Sequence, residues 1–127
     1  MNKSSKSPVV FFELPANDMK RAKGFYEKVL GWDIMPTYDN YFFAITSESN
    51  QQKIPQQNGR INGGIQKKDD TIGSLRLMIG VEDLDIAIEN VLKEGGQIKI
   101  TPKKIPGYYY AIIIDTEGNE VNLAQRI

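Results

Sequence analysis

The sequence predicts an α+β protein made of two βαβββ modules, and three observations lead there. Two segments carry helical periodicity; each follows a short apolar strand-like run, and each precedes several more such runs set apart by turn signals. The two helices also align on each other. Asp18 and Asp83 are each followed at +1 by an apolar residue (Met19, Leu84), at +4 by alanine (Ala22, Ala87) and at +13 by glycine (Gly31, Gly96), a weak internal repeat. Neither half alone buries both its sheet face and its helix, so the two are expected to pack as one domain.

Each element has its own signal. The opening MNKSSKS is expected to be a disordered polar lead-in over 1–7, followed by an apolar run from residue 9. Asn17 or Asp18 caps the first helix, which places Met19, Ala22, Phe25, Tyr26, Val29 and Leu30 on one face and stops at Gly31. Strand-like runs follow at 32–37, 41–46 and 60–66, with a turn at Asp39-Asn40. Residues 47–59, SESNQQKIPQQNG, lack hydrophobic periodicity and read as a mobile loop, and KKDD at 67–70 reads as a solvated linker. A strand at 73–81 opens the second half. Asp83 then caps a helix with Leu84, Ala87, Ile88, Val91 and Leu92 on one face, ended by Gly95-Gly96. Runs at 97–101, 108–115 and 120–125 complete it, punctuated by Pro106-Gly107 and Gly118-Asn119. A single domain over 8–127 is expected, with modules 8–66 and 73–127 and helices near 17–30 and 83–94.

Composition narrows the function classes. The chain has 127 residues, 40% apolar and 25% charged, ordinary for a globular domain able to form its own core. Sixteen Lys and Arg balance sixteen Asp and Glu, so no global field draws in nucleic acid or an anionic membrane. The absence of Cys removes disulfides, thiol nucleophiles and thiolate metal sites, and the absence of His removes the commonest general base and metal ligand. The four-residue apolar run from Val9 to Phe12 is too short for a signal peptide, and no window approaches the roughly 20 apolar residues of a membrane span. A cytoplasmic location is the expectation. No Gly-rich phosphate loop with a following Lys-Ser or Lys-Thr is present.

Strand parity assigns faces. Over 73–81, Leu75, Leu77, Ile79 and Val81 form an apolar row expected to face a helix, which turns Arg76 and Met78 the other way. If the first, fifth and last strands share a sheet with the helices on one side, the same alternation brings Phe11, Glu13, Glu120 and Asn122 to that opposite face with Arg76. A face carrying both aromatics and charges is either solvent-facing or a ligand cavity.

The runs FFELPANDMKRAKGFYEKVLGW (11–32), VEDLDIAIENVLKEGG (81–96) and PGYYYAIIIDTEGNEVNL (106–123) resemble the vicinal oxygen chelate superfamily of glyoxalases, extradiol dioxygenases and bleomycin-resistance proteins. The motifs D-x2-RA-x2-FY-x3-LGW and D-x-EGN occur in the right order, and the likeness covers about 8–125. What it implies is a paired βαβββ fold whose large curved mixed sheet encloses a ligand or metal site, with the helices outside. In catalytic members, a first-strand ligand lies seven residues before the capping Asp; here that residue is Phe11, and its counterpart before the second capping Asp is Arg76. The last-strand Glu of the family is here Asn122. Phe11 cannot ligate a metal, and Arg76 repels one. The expectation is therefore no metal cofactor; a divalent cation held by carboxylates is disfavoured because Glu13 and Glu120 would more readily pair with Arg76.

Each candidate residue has a plainer reading beside the functional one. Arg76 is either a clamp for a ligand carboxylate or phosphate, or an internal ion-pair partner of Glu13 or Glu120, and the ion pair is preferred. Of Tyr108, Tyr109 and Tyr110, either Tyr108 and Tyr110 or Tyr109 alone face the pocket. Trp32 is read as a core anchor rather than a ligand platform, and Asn62-Gly63-Gly64 as a bulge rather than a close approach to a ligand.

Two functions follow from the likeness. The first is a metal-independent protein that binds or sequesters a small aromatic or anionic molecule through Phe11, Glu13, Arg76, Met78, Tyr108, Tyr110 and Asn122. The second is a diverged lyase, isomerase or dioxygenase-type enzyme, using carboxylate-held metal or Glu13 as base. The expected partners are a small-molecule ligand and a second copy in a homodimer, with no nucleic acid and no membrane.

Overall fold

The structure is a computed structural model and describes residues 6–37 and 40–127. Most of the lead-in, together with Tyr38 and Asp39 of the first expected turn, lies outside the described residues. Eight strands and two helices run in the order β1 (Val9–Ala16), α1 (Met19–Leu30), β2 (Asp33–Pro36), β3 (Tyr41–Ile45), β4 (Asn62–Lys67), β5 (Arg76–Gly80), α2 (Leu84–Lys93), β6 (Gln97–Ile105), β7 (Tyr108–Ile114) and β8 (Glu120–Arg126). This is the expected α+β arrangement of two βαβββ modules.

The chain forms two compact units, Phe11–Arg76 and Leu77–Ile127, the second joined by the N-terminal segment through Val10. In the first, the strand order is β2-β3-β4-β1; β1 and β4 are parallel, while β2–β3 and β3–β4 are antiparallel. In the second, the order is β5-β8-β7-β6 with the same alternation, β5 parallel to β8 and the other pairs antiparallel. The N-terminal segment enters the second unit through its backbone, where the Gly80 N–H donates to the Pro8 carbonyl at 2.9 Å.

Both helices begin as the capping pattern requires. Asp18 accepts from the Arg21 N–H at 2.9 Å and Asp83 from the Ile86 N–H at 3.1 Å, each satisfying a first-turn donor that the helix itself leaves open. Gly31, at φ 70°, ends α1 in the left-handed conformation that only glycine adopts without steric cost.

In the first unit, Phe12, Leu14 and Ala16 of β1 pack with Ile34, Ala44 and Ile65 under Met19, Ala22 and Tyr26 of α1. Trp32 belongs to this cluster, stacked on Tyr26 with ring centroids 4.9 Å apart, so the core-anchor reading holds. In the second unit, Leu84, Ala111, Ile113 and Leu123 form the core with Ile79, Val81, Ala87, Ile88 and Val91 around them.

Some expected core positions are exposed. Phe25, Val29 and Leu30 of α1 and Leu92 of α2 face solvent, because the apolar stripe on each helix is wider than the strip of sheet it touches. Leu75 precedes β5 and Leu77 is its second residue; they are 59% and 43% exposed, and only Ile79 and Val81 of that row reach the core under α2. The Asn62-Gly63-Gly64 run is not a bulge, since β1 and β4 keep an unbroken register from Phe11↔Asn62 to Ala16↔Lys67. Its glycines serve side chains instead. A Cβ on Gly63 would lie 2.4 Å from the Phe12 ring, and one on Gly64 would lie 2.0 Å from the Tyr41 hydroxyl.

Gly63→Ala is therefore expected to cost about 1–3 kcal/mol by overpacking, because Phe12 is held by Trp32 and cannot yield. Gly24→Ala, in α1 with nothing within 4 Å, is expected to add about 0.5–1 kcal/mol. Urea denaturation of the two variants checks both signs.

Candidate functional site

Because alternate residues of each strand pack beneath a helix, the remaining residues define a helix-free face in each unit. In the first unit, β1 gives Phe11 and Glu13 to this face, β3 gives Tyr41 and Phe43, and β4 gives Asn62 and Gly64. The charged centre is an ion pair: Arg76 Nε donates to Glu13 Oε1 at 2.8 Å, and both side chains are almost wholly buried. Arg76 Nη1 also donates to the Thr71 carbonyl at 2.7 Å. Strand parity carries Glu13 to this side of β1, and β5 begins at Arg76, so the pair is a direct product of the alternation. The preferred reading of Arg76, an internal partner of Glu13, is what the structure contains.

The link to Thr71 gives the KKDD segment a structural task. Asp69 Oδ1 accepts from the Thr71 N–H at 2.8 Å, the Thr71 hydroxyl at 2.7 Å and the Ile72 N–H at 3.2 Å, closing a tight turn. These bonds, led by the Thr71 hydroxyl, hold the Asp69 carboxyl below its ordinary value of 3.8.

In the second unit, Tyr109 lies on the helix side, where its hydroxyl donates to Asp85 Oδ1 at 2.7 Å; that bond raises the phenol's pKa. Tyr108 and Tyr110 lie on the helix-free face, opposite Tyr109. Met78 and Asn122 are register partners on that face, and Asn122 is buried. Two features there were not legible beforehand. Register shifts in β6 between Ile98 and Ile100, and between Ile100 and Lys103, accompany a Lys99 Nζ to Glu120 Oε2 contact of 2.5 Å and a Lys103 ammonium 6.0 Å from the Tyr110 ring centroid. No periodicity rule places a bulge, so neither lysine could be assigned from spacing. The structure thus joins Glu13 to Arg76 in one unit and gathers Met78, Tyr108, Tyr110 and Asn122 on one face of the other.

A third feature is a shallow surface groove of about 410 Å³ between the end of β1 and the start of α1, lined by Pro15, Asp18, Arg21 and Phe25 among others. It excludes Glu13 and Arg76, which lie on the other side of the strand.

Comparison with known proteins agrees with this architecture. Residues 9–123 match the Glyoxalase/Bleomycin resistance protein/Dioxygenase superfamily, and the chain belongs to that family. A probable chloroplastic lactoylglutathione lyase of Arabidopsis thaliana is 29% identical over 104 residues, covering 79% of this chain but 30% of that protein, so the chain spans about a third of this relative's length. Among solved structures, a hypothetical protein of Bacillus halodurans superposes with a TM-score of 0.69 at 13% identity, covering 97% of this chain and 96% of that one. A variant of Streptomyces coelicolor methylmalonyl-CoA epimerase gives 0.67 at 13% identity, covering 96% of each chain. A superfamily member from Vibrio splendidus gives 0.62 at 14% identity, covering 94% of this chain and 99% of that one. At these identities, the structural likenesses establish the fold.

The residues at the positions where the family likeness implies metal ligands do not fit a metal. Phe11 offers a hydrocarbon ring, Arg76 a permanent cation already bonded to Glu13, and Asn122 a neutral amide. Among the described residues, no group of three His, Cys, Asp or Glu side chains is arranged to hold an ion.

Two outcomes test this geometry. Arg76→Ala strands the buried Glu13 carboxylate and is expected to cost about 3–5 kcal/mol, most of it recovered in Arg76→Ala/Glu13→Gln; thermal or urea unfolding of the three proteins measures it. A double variant no more stable than Arg76→Ala alone would show that Glu13 is not the group Arg76 neutralises. For Asp69, the lowered pKa means that its contribution is present above the ordinary carboxylate range and is lost as pH falls through the folded value. Asp69→Ala is expected to be less stable than wild type at neutral pH, with the gap closing as the solution is acidified below about pH 4.

Proposed function

We propose that this chain is a member of its family that binds a small aromatic or anionic molecule on the helix-free faces of its two units, without the family's metal. The observation that carries the reading is the donor set. Where a metal would need oxygen or nitrogen ligands, the chain has Phe11 and an arginine committed to Glu13. The same faces carry rings and cations suited to an organic anion: Phe11, Tyr41 and Phe43 in one unit, and Tyr108, Tyr110 and Lys103 in the other.

An enzyme of lyase or isomerase type is the second reading. It is favoured by a buried carboxylate on the helix-free face, Glu13, and by relatives named as a lyase and an epimerase. Glu13 Oε1 already accepts from Arg76 Nε at 2.8 Å and is committed to that ion pair, which is why binding is preferred.

The test has two arms. Elemental analysis after chelator dialysis is expected to find no stoichiometric transition metal. A thermal-shift screen of small aromatic carboxylates and phosphates is expected to find compounds that raise Tm saturably. Retained stoichiometric metal, or a full panel with no saturable binder, would overturn the proposal.

A further inference from the structure

The loop 47–59 is held by one buried side chain. Asn62, 2% exposed at the start of β4, accepts from the Thr46 N–H at 2.8 Å through Oδ1 and donates through Nδ2 to Ser49 Oγ and to the Lys53 carbonyl, both at 2.9 Å. Asn50 closes the turn from inside, accepting the Gln52 and Ile54 N–H groups on Oδ1 and the Lys53 N–H on its carbonyl. A segment read as mobile from its composition is thus latched at its start and in its middle.

What the latch fixes is Lys53. Its φ is 64°, in the left-handed region that costs a lysine more than a glycine. The loop nevertheless holds a long cationic side chain there and brings Nζ to 5.3 Å from the Phe43 ring centroid. Phe43 stands on the helix-free face, with Tyr41 edge-on to it at 5.7 Å, and Gly64 leaves the room in which the Tyr41 ring lies. Among the described residues, no carboxylate lies within ion-pair distance of Lys53, whereas Lys23, Arg76 and Lys99 each have one. A cation over the Phe43 ring, with Tyr41 edge-on beside that ring, fixed by a buried amide and not neutralised by a carboxylate, matches the charge and shape of a small planar anion.

The geometry points to Lys53, with Phe43 and Tyr41, as a binding subsite for the aryl carboxylate class of ligand, with Asn62 as its positioning residue. The inference rests on the binding reading proposed above and names the anion contact within it. The alternative, that Lys53 only shields an exposed ring, predicts no dependence of ligand affinity on its charge.

Benzoate, with benzyl alcohol as its uncharged counterpart, is the probe, titrated into the full chain by calorimetry or by NMR shifts. Lys53→Gln removes the charge and keeps the stem; Lys53→Gly also relieves the backbone at φ 64°. Lys104→Gln, a lysine over Tyr109 on the helix side, is the control. Benzoate affinity is expected to fall about tenfold in both Lys53 variants, with benzyl alcohol unaffected, Lys104→Gln unchanged, and Tm in Lys53→Gly equal to or above wild type. Equal benzoate affinity in wild type and both Lys53 variants would overturn the inference while leaving the binding proposal in place. Absence of saturable benzoate binding by wild type would also overturn it, and the binding proposal falls only if the wider panel fails as well.

Discussion

A carboxylate and a guanidinium shut away from water are stable only together, and the first unit is organised around that requirement. Glu13 comes from the middle of β1 and Arg76 from the first residue of β5, sixty-three positions apart in the chain. Arg76 reaches further, to the Thr71 carbonyl, and Thr71 is fixed by Asp69. The connection after β4 is therefore anchored by the same charge that satisfies β1. Moving any one of the three would leave a buried polar group without its partner, which costs more than the bond itself contributes.

This arrangement also accounts for what the family fold does here. The helix-side faces follow a common recipe of alternating aliphatics beneath an amphipathic helix, and they need nothing from the opposite face. The helix-free faces are chemically open to change. At two positions where the family likeness implies metal ligands, Phe11 offers no donor atom and Arg76 is paired with the Glu13 carboxylate.

Much of the fold was legible because local rules and tertiary structure agree. Asp18, Asp83 and Gly31 act as caps and stop where their spacing to the apolar stripes placed them, and the parity of β1 put Glu13 opposite the helix. The site was only partly legible. Periodicity tells which face a residue occupies but not whether anything covers it, so Leu75 and Leu77 were assigned to a core they do not reach. Three consecutive tyrosines could not be phased by alternation alone; the Tyr109 bond to Asp85 fixes the phase through a contact twenty-four residues away. Asn62 and Lys53 were missed for the same reason: a buried amide that gathers a loop across nine to sixteen residues leaves no periodic trace.

The internal repeat has a consequence for how such a chain can arise. The offset of 65 residues that lays Asp83 on Asp18 also lays Arg76 on Phe11 and Met78 on Glu13. The ion pair therefore joins positions that are not each other's counterparts, and neither module contains it in duplicate. A chain made by tandem copying of the first module would set a second phenylalanine where the guanidinium stands, leaving Glu13 without its arginine. Copying the second would set methionine in place of Glu13, leaving the arginine without its carboxylate. The two halves have become complementary rather than equivalent, and neither can replace the other without a compensating change at one of these four positions.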